Sequence, residues 1–282
     1  MKPSRPKRRR RPRSQPVISL LTDFGNTDHY AGVMKGVISA LCPSARIIDL
    51  CHEVRPQAIL DGAFLLWASY RYFPAGTVFL AVIDPGVGTD RKILVVKTRR
   101  HLLVAPDNGV LDFVLSEEPA CRIYELDTPR IEALRRGGVL PAQHANTFDG
   151  RDVFAPLAAK LAMGARPSRL GRPATRRVSG LTLAHPDRKP TEGLVVHVDR
   201  FGNVVSNLRA EEGTALPGRL DGVELKGKKV TRWVRNYLEA PRDEVCILVG
   251  SSGLVELSVR DGSAAGALNA RAGDAIGFLW RS

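Results

Sequence analysis

Apolar runs of two kinds alternate through the first part of the chain. VISLLTDF (17–24), ARIIDL (45–50) and GTVFLAVID (76–84) are short and nearly continuous, the pattern of strands buried on both faces. Between them, Tyr30, Val33, Met34, Val37, Ile38 and Leu41 recur at helical spacing within 28–41, and an Ala- and Leu-rich stretch predicts a second helix over 58–70. KILVVKT (92–98) and HLLVAPD (101–107) lie close enough to form a hairpin. TFDGRDVFAP (147–156) reads as a helix start: Thr147 or Asp149 would cap free N–H groups, Asp152 follows within the first turn, and Val153, Phe154, Leu157, Ala158 and Leu161 continue the helical face. Strands alternating with helices predict an α/β fold, a mainly parallel sheet covered by helices on both faces.

The texture changes after two stretches rich in Pro, Gly, Arg and Thr, ARPSRLGRPATRR (165–177) and HPDRKPTEG (185–193). Beyond them LVVHVDRFGNVVSNL, GRLDGVELKGKKVTRW, EVCILVGSSGLVELSV and DAIGFLW are β-rich runs separated by Gly, Asn and Asp turns, the pattern of a small all-β barrel or sandwich. The resulting division is a basic arm over 1–16, an α/β domain over 17–185 and an all-β domain over 190–282. No repeat recurs at a fixed period.

Composition changes this picture little. Of 282 residues 44% are hydrophobic, ample for two cores, and no apolar run reaches the roughly eighteen residues of a spanning helix. The N-terminus carries charge with no apolar stretch behind it, unlike a secretory signal. A soluble, cytoplasmic protein is expected. The net charge of +13 suggests nucleic acid, but eight Lys and Arg fall in the first thirteen residues, leaving about +5 for everything else. That arm, interrupted by prolines and without an acid, is expected to be disordered and to touch RNA or anionic surfaces at most nonspecifically. Neither an RNA-binding motif nor an aromatic platform accompanies it. Cys42, Cys51, Cys121 and Cys246 are scattered without a CxxC pair, as core residues of a reducing compartment are.

Candidate chemistry collects where strands end. Asp23 follows ISLLT, Asp84 follows FLAVI, and Asp107 with Asn108 follows LLVAP. Ligands of open α/β sheets bind outside the carboxyl ends of the strands, so three such ends suggest a shared site. DPGVGTDR (84–91) lacks both GxGxxG and a Walker lysine, and its leading acid would repel a phosphate. It reads instead as a tight turn bringing Asp84 and Arg91 together. GxSxG and HExxH are absent, and the six histidines form no ligand spacing, so no metal site is expected.

LLTDFGNTDHYAGVMKGVI, VIDPGVGTDR, APDNGVL, TFDGRDVFAP and VDRFGNVVSN together resemble the S-adenosylmethionine hydroxide adenosyltransferases, water-using relatives of the S-adenosylmethionine-dependent chlorinase and fluorinase. The likeness spans roughly 17–280, in order. It implies an α/β domain with a seven-stranded sheet, a C-terminal β-barrel, and a homotrimer with ligands between one subunit's α/β domain and its neighbour's barrel. It implies hydrolysis of S-adenosyl-L-methionine to adenosine and methionine by attack on ribose C5′, with no cofactor. By the same resemblance Asp23 meets the ribose hydroxyls, Asp199 the substrate ammonium, Asn203 the adenine edge, Ser252 and Glu256 the methionine end, and the backbone near Ala264 and Ala265 the adenine.

Asp84 and Arg91 match the first two members of that family's Asp–Arg–His triad for handling water. The third departs: where the family reads Thr-Phe-His-Gly-Arg-Asp, this chain has Asp149 in place of the histidine. A neutral imidazole can take a proton from water. A carboxylate there competes with Asp84 for Arg91, and the two acids exchange protons as a unit. The chain is expected to hydrolyse its substrate through Asp84, Arg91 and Asp149, or else to bind S-adenosylmethionine or adenosine with little turnover. His144, five residues upstream, is a weaker substitute. Two carboxylates beside the nucleophile would repel chloride or fluoride by several kcal/mol in a partly buried site, which argues against halide transfer.

Overall fold

The computed structural model describes residues 15–142, 145, 147–175, 180–210 and 216–281. The basic arm up to residue 14 and His144 lie outside the described residues. The N-terminal part runs β1 (Val17–Thr22), α1 (Tyr30–Leu41), β2 (Arg46–Cys51), α2 (Ile59–Tyr70), β3 (Val78–Val82), β4 (Ile93–Lys97), β5 (Leu102–Pro106), α3 (Asp112–Glu117), β6 (Arg122–Leu126), α4 (Thr128–Arg136), α5 (Ala155–Ala162), α6 (Pro167–Leu170) and β7 (Arg172–Ala174). Its sheet has the order β2-β1-β3-β5-β4-β6-β7. The pairs β2/β1, β1/β3 and β3/β5 are parallel, and β4 reverses as the expected hairpin with β5. Five of the seven strands point the same way, the mainly parallel sheet that the apolar runs predict.

Alternation along each strand serves two cores. Val78, Leu80 and Val82 of β3 pack with Met34 and Ile38 of α1 and Leu157 and Ala158 of α5. Phe79 and Ala81 face the other way, onto Ala63, Leu66 and Trp67 of α2 and Phe113 of α3. The helix α2 is buried nearly all round because a second body covers its far side: Val196, Val205 and Leu254 of the C-terminal part join its cluster. Arg71 and Arg209 approach the Trp67 ring at 4.9 and 5.5 Å, and Glu117 binds both arginines.

The C-terminal part runs β8 (Glu192–Val198), β9 (Val204–Arg209), α7 (Leu216–Arg219), β10 (Leu220–Leu225), β11 (Lys228–Val230), β12 (Val245–Val249), β13 (Leu254–Val259), α8 (Ala264–Leu268) and β14 (Ala275–Trp280). Its seven strands pair antiparallel in the order β11-β10-β14-β8-β9-β13-β12. The chain leaving β11 then reaches β12: Val234 N–H donates to Ile247 O at 2.9 Å, and Ile247 N–H to Arg232 O at 2.7 Å. Those bonds nearly close the sheet around Val195, Val223, Ile247, Leu257 and Phe278, which decides for a barrel over a sandwich. No helix among the described residues is long and apolar enough to cross a membrane, and the four cysteines form no disulfide.

Candidate active site

Parallel register places the first acids together. Thr22 of β1 is aligned with Val82 of β3, so Asp23 and Asp84 leave the sheet at the same, carboxyl edge. After Asp84 the chain turns twice, with Val87 N–H donating to Asp84 O and Thr89 N–H to Gly86 O, and Thr89 Oγ1 then receives Arg91 N–H. The loop thereby folds Arg91 back onto the acid where it began. Arg91 Nε lies 2.7 Å from both Asp84 carboxylate oxygens, and Nη2 also binds Oδ2. DPGVGTDR is thus the tight turn expected, built around an ion pair whose side chains are 5% and 11% exposed.

Asp149 arrives from a different direction. The TFDGRD segment does not open as an ordinary capped helix: Gly150–Phe154 forms a π-helical turn, Ala155 N–H donating to Gly150 O, before α5 begins. Asp149 caps nothing; its Oδ2 accepts from Arg91 Nη2 at 2.6 Å. Asp152 accepts instead from Ala145 N–H and pairs with Arg151. The capping role expected of Asp149 is therefore corrected, while Asp152 stands in the first turn as expected. The N–H groups of Arg151 and Asp152 donate to Phe148 O, and the Asp149 carboxylate takes the buried guanidinium 58 residues away, a charge-assisted bond stronger than a neutral cap. Wide turns of this kind recur at functional sites. Gly150 is needed for space: a Cβ there would lie 2.8 Å from Phe148 Cε2 and 3.2 Å from Met34 Sδ.

Arg91 therefore bridges two carboxylates, with its Cζ 5.7 Å from the ring centroid of the buried Phe154. Burial works against its charge, but the hydrogen bonds and field of Asp84, then of Asp149, outweigh burial and hold its pKa above the ordinary arginine value. Asp23 is shifted up, first by burial and further by the negative charge of Asp84, against the Gln57 N–H it accepts at 2.8 Å. Asp107 and Asn108 serve the turn: Asp107 N–H bonds Lys92 O, and the Asn108 side chain donates to Ile83 O.

The barrel carries the other acids. Asp199 Oδ1 accepts from the N–H groups of Phe201 and Asn203, and Oδ2 from Asn203 Nδ2 at 2.8 Å. The Asn203 Oδ1 has no hydrogen-bond partner among the described residues. This turn docks on α8, Ala265 N–H donating to Gly202 O, so Asp199, Asn203, Ala264 and Ala265 form one corner. Gly202 has φ +85°, and a Cβ there would strike Ser263 Oγ, the cap of α8. Asp199, Ser252 and Glu256 also line a pocket of about 450 Å³ with His197 and with Phe64, Ala68 and Tyr72 of the α2 segment. Glu256 is 6% exposed and receives Tyr237 Oη–H at 2.8 Å and Ser258 Oγ–H at 3.0 Å. Its pKa is raised by burial, with Asp199 adding to the shift, while those hydroxyls oppose it. Burial and the Glu256 carboxylate push Tyr237 up to about 12.

The candidate residues thus form two groups. Asp23, Asp84, Arg91 and Asp149 share the carboxyl edge of the α/β sheet; Asp199, Asn203, Ser252, Glu256, Ala264 and Ala265 belong to the barrel. No hydrogen bond or ion pair among the described residues joins one group to the other. Two residues escaped the sequence reading. His197 Nδ1 lies 3.2 Å from Asp61 Oδ1, whose second oxygen accepts from Arg55 Nε at 2.6 Å, and its ring stacks on Phe64 at 4.9 Å. Tyr237 reaches Glu256 from an irregular segment. Neither has a local signal, since each partner lies far away in sequence.

A mainly parallel α/β layer joined to a nearly closed barrel, with an Asp–Arg–Asp cluster at the sheet's carboxyl edge, defines a class of two-domain enzyme. Family comparison makes this specific: residues 18–171 match the SAM hydroxide adenosyltransferase N-terminal domain and residues 193–277 its C-terminal domain. The chain belongs to the SAM hydroxide adenosyltransferase family. A Thermus thermophilus protein named (R)-S-adenosyl-L-methionine hydrolase is 37% identical over 266 residues, covering 93% of this chain and 99% of that one. A Salinispora arenicola protein of the same name is 36% identical over 268 residues, covering 93% and 97%. The crystal structure of an uncharacterized conserved protein from Thermotoga maritima superposes with a TM-score of 0.78 at 34% identity, covering 93% of this chain and all of that one.

Proposed function

We propose that the chain hydrolyses S-adenosyl-L-methionine to adenosine and L-methionine. Water attacks ribose C5′, a C5′–O bond forms as the C5′–S bond breaks, and methionine leaves as a neutral thioether. Such a leaving group needs no protonation and no cofactor. The protein's work is to align water, carbon and sulfur, to exclude bulk water, and to take one proton. The observation that carries the reading is the Asp84–Arg91–Asp149 cluster within a chain of this family. Arg91 fixes both carboxylates, each keeping lone pairs for water, and the proton passes to this acid pair. Asp149 serves in place of the histidine.

Asp23 accepts from the ribose hydroxyls, Asp199 meets the ammonium, and Asn203 Oδ1 accepts from the adenine amino group. Ser252 and Glu256 hold the methionine end, and the backbone at Ala264 and Ala265 borders the adenine. The assembly we propose is the homotrimer that the resemblance implies, in which one subunit's sheet edge meets its neighbour's barrel. The names of the relatives point to the R configuration at sulfur as the preferred epimer. We place the protein in the cytoplasm, in keeping with its four scattered cysteines.

The test is to incubate the purified protein with each sulfonium epimer and follow adenosine and methionine by chromatography, with and without chloride. Adenosine formed independently of chloride, with the R epimer faster, supports the reading. Ligand binding by calorimetry with no product would overturn it in favour of a binding protein disabled by Asp149.

A further inference from the structure

The barrel pocket has a charge problem. It is lined by Asp199, Glu256 and Ser252, and its lining includes neither lysine nor arginine. Two acids suit the cationic parts of the substrate, the ammonium and the sulfonium. They repel the α-carboxylate of the same amino-acid end, which must enter with them. Something positive has to receive it. His197 is the basic side chain in that lining.

Its setting fits that task. Asp61, buried at the start of α2, takes the Nδ1 side of the ring, and Arg55 holds the second Asp61 oxygen. Phe64 stacks on the ring with an interplanar angle of 20°. Ring orientation is thereby set by groups from the α/β domain, while Nε2 has no hydrogen-bond partner among the described residues. A carboxylate on Nδ1 takes that N–H, so Nε2 donates to a ligand carboxylate when the ring carries both protons. Asp61 on Nδ1 and Asp199 and Glu256 in the same pocket lining place three carboxylates around the ring. The bound α-carboxylate would complete that set.

We infer that His197, held by the Arg55–Asp61 pair, is the residue that recognises the α-carboxylate of S-adenosylmethionine through Nε2–H. The inference rests on the proposed function for its ligand but concerns recognition, not the chemical step. It makes the enzyme selective for an amino-acid sulfonium over the corresponding amine.

The probe is decarboxylated S-adenosylmethionine, which keeps the adenosyl, sulfonium and ammonium groups and lacks only the carboxylate. Binding by calorimetry and turnover are measured for the full-length protein with both compounds. In the wild type the carboxylated compound should be preferred. H197A should weaken it by about tenfold to a hundredfold, the worth of one charge-assisted hydrogen bond, in KM and Kd more than in kcat. The same variant should leave the decarboxylated compound within about twofold, since no interaction with it is lost. H197Q, which retains a donor and the packing volume, should recover part of the preference and guards against misfolding of H197A. Equal losses for both compounds would overturn the inference and make His197 a tie between the domains. Because Kd reports the preference without catalysis, a wild type that binds but does not hydrolyse would defeat the proposed function and still decide this one.

Discussion

The two acidic groups of this molecule are built on opposite principles. At the sheet edge, Asp84 and Asp149 close on one buried guanidinium, so half of their negative charge is neutralised before any ligand arrives. In the barrel, Asp199 is held by N–H groups and Glu256 by hydroxyls, and neither forms an ion pair with lysine or arginine among the described residues. Neutral donors position a carboxylate without cancelling its charge, and that charge remains available to a cation. The first arrangement suits a polar nucleophile that must be oriented and relieved of a proton. The second suits a substrate carrying ammonium and sulfonium. Each performs half of what the reaction requires.

The most severe way to break this contrast is to remove the cation at the sheet edge. Arg91→Met leaves two carboxylates side by side without compensation. It should abolish adenosine formation and cost about 3–5 kcal/mol of stability in urea unfolding, as for other broken buried ion pairs. Asp149→Asn keeps a hydrogen-bond acceptor for Arg91 but removes a proton acceptor, and should lower kcat by about a hundredfold with KM little changed. Asp149→His should stay within about tenfold of wild type, because imidazole can also take the proton.

Smaller effects sharpen the comparison across the domain junction. Burial opposes the Asp61 charge, but His197 and Arg55 prevail and hold its pKa below the usual carboxylate value. Folded Asp61 therefore releases its proton more readily than unfolded Asp61. The stabilisation is present above the unfolded value of about 3.9 and is lost as pH falls through the folded one. Asp61→Asn should cost about 1–3 kcal/mol at pH 7 in chemical denaturation, and the gap from wild type should close below about pH 3.9. Deleting residues 1–14 should change kcat/KM by less than about twofold, while abolishing any salt-sensitive retention on nucleic acid.

What the chain discloses before folding follows the range of each interaction. The buried strands and the α1 and α2 helices are written in apolar spacing, and the Asp84–Arg91 pair in a loop short enough to read. For Asp149 the local rule for helix starts offers only a cap; its place beside Arg91 came from the resemblance, because the partner lies 58 residues away. The Asp61–His197 contact joins residues 136 apart, from two domains, and no spacing encodes it. The barrel's closure runs through Arg232–Val234, a stretch outside any regular strand, where neither alternation nor turn residues mark the pairing.

The central proposal is that the two groups meet between chains rather than within one. Subunit mixing tests it. Asp84→Ala disables the sheet edge, Asp199→Ala disables the barrel, and each variant alone should be inactive towards S-adenosylmethionine. Unfolded, mixed in equal amounts and refolded together, they should regain about a quarter of wild-type activity, because random assembly of a cyclic trimer leaves that share of interfaces with both halves intact. Activity that stays at the level of the separate variants, in mixed oligomers verified by mass, would place the whole site within one chain and contradict the account.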